Sequence, residues 1–345
     1  MMIQSPVGWL DGTGEYPGIV ISSRVRLARN LKGIPFSHRA SREQLEEVQL
    51  QLRNAQGENK FLKNAIFLDT SELTDIDKQF MVERNLVSPD FLEKKGARGL
   101  LVGEKEIVSI MINEEDHVRL QGLHSGFQPK DVWRIIDRID DELSGSLEYA
   151  FSDEFGYLTA CPTNTGTGLR ASILIHLPAL VLTQEIDKVL RGITQVGLAV
   201  RGFYGEGTAV LGNLFQISNQ TTLGQSEEDI INSLERVTKQ IIEFEQNARK
   251  TLLKDAQPQI EDKIWRAYGI VKNARVLTSQ EFMNLSSAIR LGVAMGMIPD
   301  VTVQTINQLM IETQPSHLQK RAGKKMEPAE RDIYRADFVR KILSG

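Results

Sequence analysis

The chain has 345 residues and 38.8 kDa, with 41% apolar and 25% charged residues, and its 41 Lys+Arg against 45 Asp+Glu leave a net charge of −4. That composition excludes disordered and fibrous classes, the length corresponds to about two domains, and a pI near 5.9 argues against broad nucleic-acid binding. A single cysteine, Cys161, allows neither an internal disulfide nor a cysteine-rich metal cluster, which points to a reducing, cytoplasmic setting.

The first residues lack the basic-then-apolar pattern of an export signal. Residues 18–29 then alternate, with Ile21, Val25 and Leu27 on one face and Ser22, Arg24 and Arg26 on the other, as a half-buried strand requires. A continuous apolar run at 107–112 predicts a buried strand that empties into Asn-Glu-Glu-Asp-His at 113–117. Pro129 opens a helix carrying Val132, Ile136, Ile139 and Leu143 on one stripe. A strand at 155–160 and a glycine-containing loop at 161–168 follow. Residues 171–182 are the most apolar stretch, too short to span a bilayer and interrupted by His176 and Pro178, so no membrane partner is expected. Strands at 197–203 and 210–218 flank Tyr-Gly-Glu-Gly at 204–207, a loop with the glycine content of a lid. The alternation of periods reads as α/β or α+β.

From Ser226 the pattern becomes helical. Ser226 caps a helix with Ile230, Leu234, Val237, Ile241 and Phe244 on one face, and Thr278 with Glu281 forms a second capping signal. Helices are expected at 259–273, 279–296, 303–313 and 328–343, with the basic segment 320–325 as a solvated loop. The expected division is a domain at 1–254 and a helical one at 255–345.

Several nucleotide motifs are absent: there is no GxxxxGK[ST], and Gly166, Gly168 and Ala171 match GxGxxA far from any N-terminal βαβ unit. No HExxH or Cys/His spacing supports a protein-bound metal, and His117, His124 and His176 are read as structural. What the sequence does show is arginine beside strand ends and glycines, at Arg24, Arg26, Arg119, Arg170 and Arg201. Guanidinium forks suit phosphate oxygens, and glycines at 166, 168, 202, 205 and 207 let backbone amides approach them. Glu114, Glu115, Asp116 and Glu206 add carboxylates able to receive a proton or a cationic substrate.

Four segments together carry a resemblance. Ser-Ser-Arg-Val-Arg at 22–26, Asn-Glu-Glu-Asp-His-Val-Arg at 113–119, Cys-Pro-Thr-Asn-Thr-Gly-Thr-Gly-Leu-Arg-Ala at 161–171, and Arg201-Gly202 with Gly205-Glu206 and Ile217-Ser-Asn219 resemble the signatures of the phosphagen (guanidino) kinases over roughly residues 20–250. The resemblance implies an antiparallel sheet flanked by helices and transfer of the ATP γ-phosphoryl group to a guanidinium nitrogen. It implies Glu115 and Glu206 as catalytic carboxylates and Cys161 as a reactive thiol assisted by Thr163. ATP would be held by Ser22, Ser23, Arg24, Val25, Arg26, Arg119, Arg170, Ala171, Ser172, Arg201, Gly202 and Gly205, with Mg²⁺ carried by phosphates and water. Asn85 stands where the family usually has a histidine on the nucleotide.

Two departures refine the resemblance. Only 21 residues precede the Ser-Ser-Arg-Val-Arg segment, where phosphagen kinases carry a helical domain. The C-terminal Arg331-Asp332-Ile-Tyr-Arg335-Ala336 is similar to the RDxxRA motif of the bacterial protein-arginine kinases. That implies protein substrates presenting arginine, phosphoarginine as an allosteric ligand at Arg331, Asp332, Arg335 and Ala336, an activator protein, the Clp protease machinery in the stress response, and a homodimer or higher oligomer. A small-guanidino phosphagen kinase and a phosphoarginine-binding adaptor with weakened catalysis remain the alternatives.

Overall fold

The computed structural model describes residues 7–93, 96–202 and 211–343. After a 3-10 turn at Gly8–Leu10 come β1 (Val20–Arg29), α1 (Arg42–Glu58), β2 (Ile66–Asp69), α2 (Asp75–Glu83), α3 (Pro89–Glu93), β3 (Gly99–Val102), β4 (Val108–Ile112), β5 (Val118–Ser125) and α4 (Pro129–Ser144). A two-residue hairpin, β6 (Phe151–Ser152) and β7 (Gly156–Tyr157), precedes β8 (Leu169–His176), α5 (Pro178–Leu182), α6 (Ile186–Gln195), β9 (Leu198–Gly202) and β10 (Leu214–Asn219). The chain then stays helical: α7 (Glu227–Asp255), α8 (Gln257–Asn273), α9 (Ser279–Ala294), α10 (Val303–Glu312), α11 (Pro315–Ala322) and α12 (Pro328–Leu343).

Eight strands form one antiparallel sheet in the order β2-β3-β4-β5-β1-β8-β10-β9. Its back face is apolar: Val25, Leu27, Leu120, Ala171, Ile173 and Ile217 are fully buried in the main core with Val132, Ile136, Ile139 and Leu143 of α4 and Ile230, Leu234 and Ile241 of α7. Gly122 of β5 permits that closeness, because a Cβ there would stand 2.7 Å from Ile136 Cγ1 and 2.8 Å from Val132 Cγ1. Among the described residues no helix is long and apolar enough to cross a membrane.

The front face is covered in patches. The α2–α3 segment packs Met81, Leu86, Val87 and Phe91 onto Leu100, Val102 and Met111. The N-terminal turn places Trp9 and Leu10 among Ile21, Leu123, Leu174 and Leu214, where Met283, Met310 and Ile311 of the C-terminal helices join them. Arg290 of α9 bolts the two parts together: it is fully buried and donates to the carbonyls of Gly18 and Pro17, to His176 Nδ1 and to Asn307 Oδ1. His176, also completely buried, passes the network on to Ser287 Oγ, and its ring is held well below its usual pKa by burial and then by Arg290 and Arg249.

Four expectations need correction. Ile21 does not share the face of Val25 and Leu27, because a bulge between Val20 and Ser22 turns it into the second cluster. The strand expected at 155–160 shrinks to Gly156–Tyr157, since Leu158 bonds back to Ala150 and the Ala160 amide is taken by the Asp116 side chain. Phe244 is exposed on α7 rather than buried on its apolar face. Residues 320–322, expected in a loop, close α11, whose Pro315 start and left-handed Gly323 end are helix-boundary signals in the sequence. Periodicity also left α1–α3, β2 and β3 unread.

Removing Arg290 strands two buried carbonyls, a histidine and an amide. Arg290→Ala should lower unfolding free energy by about 3 kcal/mol in urea denaturation, and an unchanged midpoint would show that the network carries no stability.

Candidate active site

Strand register alone assembles a cationic floor. Arg26 of β1 lies directly opposite Arg170 of β8 and Gln121 of β5, while Arg24 lies opposite Ser172 and Leu123. Side chains two apart share a face, so Arg119 joins Gln121 on the same side. On the far strands Leu174 faces Gln216, which in turn faces Arg201. All five arginines singled out from the sequence line one cavity of about 690 Å³, together with Asn85, Gln121 and Gln216. A narrow recess continues from it between Trp9, Ser22, Ser172 and Leu174.

Each arginine is set by a local device. Arg24 donates to Ser172 Oγ at 3.3 Å. The Arg26 Nε is buried without a hydrogen-bond partner among the described residues, which is costly for the protein alone. Arg170 is delivered by Gly168, which adopts φ +66° and on which a Cβ would lie 2.6 Å from the Ala28 carbonyl. Buried Arg29 locks the loop entering β8 by donating to Thr167 O at 2.8 Å and pairing with Asp140 at 2.6 Å.

The Asn-Glu-Glu-Asp-His segment forms the turn between β4 and β5, and three of its five side chains are structural. Asn113, in the left-handed region at φ 61°, donates to the carbonyls of Leu45 and Ala97. Asp116 accepts from Asn30 Nδ2 and from the Ala160 amide, both at 2.7 Å. His117 Nδ1 accepts from the Leu31 amide, so Nε2 carries the proton and donates to Pro35 O. Glu114 pairs with Arg119 at 2.7 Å and accepts from Ser88 Oγ and the Glu115 amide. The Glu115 side chain is half-buried. Because Asp116 holds Ala160, the turn bearing Glu115 is stapled to the turn bearing Cys161, whose Sγ lies 3.1 Å from Thr163 Oγ1.

The other expected ligands divide by face. Ser22 and Ser172 stand with the arginines, whereas Val25 and Ala171 are core residues whose side chains cannot reach the cavity. Ser23 is buried on the back, donating to Gly126 O and accepting from the Gln128 amide. Gly202 ends β9, and Gly205 and Glu206 lie outside the described residues. Asn85 lines the cavity at φ 58°, a conformation asparagine enters more cheaply than histidine, and its carbonyl accepts from Gln121. Asn219, expected in the nucleotide flap, accepts from the Ala171 amide and donates to Leu169 O, a clamp on the start of β8. Sequence reasoning missed Gln121, Gln216, Glu83 and Gln314 in the wall. The first lies two residues beyond Arg119 and was legible by alternation; Glu83 and Gln314 meet only through tertiary packing.

In the C-terminal motif, Arg331 donates to Met326 O, while Arg335 is buried and donates to Thr313 O, Leu277 O and Asp332 Oδ1. Ala336 is fully buried. Arg335 therefore knits α12 to the start of α9 and the end of α10. Among the described residues no group of three or more His, Cys, Asp or Glu could hold a metal ion.

Charge crowding shapes the site. Burial, then Arg119 and Arg170, push the Arg24 guanidinium down to about 10, and burial, then Arg24, Arg119 and Arg170, hold Arg26 well below its ordinary value. Such a cluster gains most from a polyanion. Burial alone would raise the Glu114 carboxyl, but Arg119, Ser88 and the Glu115 amide overcome it and bring it down to about 2.

Residues 43–248 match the ATP:guanido phosphotransferase C-terminal catalytic domain, and residues 257–345 match the protein-arginine kinase McsB C-terminal domain. The chain belongs to the ATP:guanido phosphotransferase family, in its protein-arginine kinase branch. It is 47% identical to the protein-arginine kinase of Pelotomaculum thermopropionicum over 98% of this chain and 96% of that one, and 48% identical to that of Moorella thermoacetica over 98% and 97%. Among solved structures it is similar to lombricine kinase, with TM-score 0.59 and 26% identity over 71% of this chain and 70% of that one. The substrate-free duplicated taurocyamine kinase of Schistosoma mansoni shares the fold, with TM-score 0.61 at 23% identity over 78% of this chain and 39% of that one.

The depressed Glu114 pKa sets an acid limb. Its carboxylate stabilises the fold fully above about pH 4.5, and the contribution, on the order of 3 kcal/mol, disappears as pH falls toward 2. Glu114→Gln should be less stable than the parent at pH 7, with the gap closing between pH 4.5 and 2 in unfolding titrations. A gap independent of pH would contradict the pairing.

Proposed function

We propose that this chain transfers the γ-phosphoryl group of MgATP to arginine side chains of proteins. The observation that carries the reading is the convergence of Arg24, Arg26, Arg119, Arg170 and Arg201 on one cavity. A phosphoryl-transfer transition state spreads negative charge over equatorial oxygens, and preorganised guanidiniums meet that charge without reorganising. Mg²⁺ arrives with the nucleotide as part of the substrate and offsets charge on its phosphates.

A guanidinium is protonated near neutral pH and its nitrogens are poor nucleophiles, so the acceptor must be oriented and relieved of a proton. Glu115 sits on the rigid turn beside Glu114–Arg119 and is our candidate for both tasks, with Glu206 as the second carboxylate. Glu114 pairs with Arg119 and helps to fix the turn, and Glu115 is the glutamate that the family resemblance assigns to the acceptor. Cys161, on the turn stapled to that of Glu115, is our candidate to border the same acceptor. Protein rather than free arginine as the acceptor is supported by the names of the curated relatives and by the helical unit they share.

The division into a catalytic unit, 1–254, and a helical unit, 255–345, belongs to this reading, as do phosphoarginine sensing at Arg331, Asp332 and Arg335 and self-association. Action in the cytoplasm, an activator protein and delivery of marked proteins to Clp proteolysis under stress rest on the family resemblance.

Incubation with MgATP and an arginine-containing protein should add acid-labile phosphoryl groups to arginine, visible by intact mass. Absence of the product, or equal efficiency on free arginine, would overturn the protein-kinase reading. Glu115→Ala should abolish turnover without shifting the melting temperature; retained turnover would move the proton acceptor elsewhere. Arg170→Ala should cost about 10²–10³ in kcat, and a loss below tenfold would remove it from the clamp.

A further inference from the structure

The cavity that holds the arginines is not closed by the sheet and its own helices alone. Ile311 at the end of α10, with Gln314 and Pro315 at the start of α11, also forms part of its wall, as does Val82 of α2. This corner is held in place firmly. The Glu83 carboxylate accepts from the amides of Ser316 and His317 at 2.9 and 3.1 Å and pairs with His317 Nδ1 at 2.8 Å. The His317 ring lies 4.3 Å from that of Phe80, and Lys320 pairs with Asp77.

The wall is chemically polarised. Its five guanidiniums all rise from the sheet, whereas the residues contributed by the helical unit are an isoleucine, a glutamine and a proline, without charge. A polyphosphate alone would satisfy the first half and leave the second unused. A nucleoside triphosphate uses both, because its base and ribose offer a flat apolar surface and amide-compatible edges.

We propose that the α10–α11 corner is a wall of the nucleotide site and receives the nucleoside end of ATP, so that the helical unit takes part directly in nucleotide binding. The proposal rests on the reading above that the arginine clamp takes the phosphates. Its consequence is reciprocal: nucleotide in the cavity stabilises the docking of α11 on α2, and loosening that docking weakens the nucleotide but not its phosphates.

The test compares MgATP with magnesium tripolyphosphate on the full chain. Ile311→Ala should weaken ATP about tenfold while leaving tripolyphosphate within twofold of the parent. Independently of any variant, ATP should slow amide exchange across residues 311–320 of the parent chain more than tripolyphosphate does, which decides the matter if Ile311→Ala fails to fold. Equal weakening of both ligands, no weakening of either, or equal protection by the two would overturn the proposal. Tripolyphosphate that binds without these distinctions leaves the arginine clamp standing and removes only the α10–α11 wall. Failure of tripolyphosphate to bind the parent removes both.

Discussion

Like-charge repulsion on one face of an antiparallel sheet is the constraint around which this protein is arranged. Cross-strand partners in β5, β1 and β8 bring Arg119, Arg26, Arg24 and Arg170 into adjoining positions, an arrangement unfavourable on its own account. The fold meets that cost elsewhere, with a largely apolar back face and helices pressed onto it so closely that Gly122 has no room for a methyl group. One pair, Glu114 with Arg119, relieves part of the charge. A polyanion would relieve more of it, so that an arrangement unfavourable in the free protein would favour the nucleotide complex we propose.

The chemistry of this site was more legible in sequence than its architecture. The five arginines could be picked out because they sit next to strand ends and glycines, and strand alternation puts Arg24 and Arg26 on one side. Their meeting with Arg170 and Arg201 needed the registers of three further strands, which no local pattern encodes. Val25, Ser23 and Ala171 show the opposite failure. A motif read as a string assigns every member to the ligand, but pleating sends alternate members to the core.

The Asn-Glu-Glu-Asp-His turn makes the same point for polar residues. Asn113, Asp116 and His117 spend their hydrogen-bonding capacity on backbone groups of neighbouring segments and shape the turn rather than the reaction. In the C-terminal motif Arg335 is buried and donates to the carbonyls of Thr313 and Leu277, contacts that the motif's own residues do not announce. Glu83 and Arg290 were invisible beforehand, since the partners of Glu83, and all those of Arg290 except Asn307, lie more than a hundred residues away.

The tether from Asp116 to Ala160 bears on how chemical labelling of this protein is to be interpreted. Cys161 follows Ala160 directly, and Glu115 precedes Asp116, so a bulky adduct on the thiol acts on a lever whose other end carries the carboxylate. Inactivation by a thiol reagent would then report the displacement of Glu115 as readily as the loss of sulfur, and adduct size, rather than the bare fact of modification, becomes the informative variable.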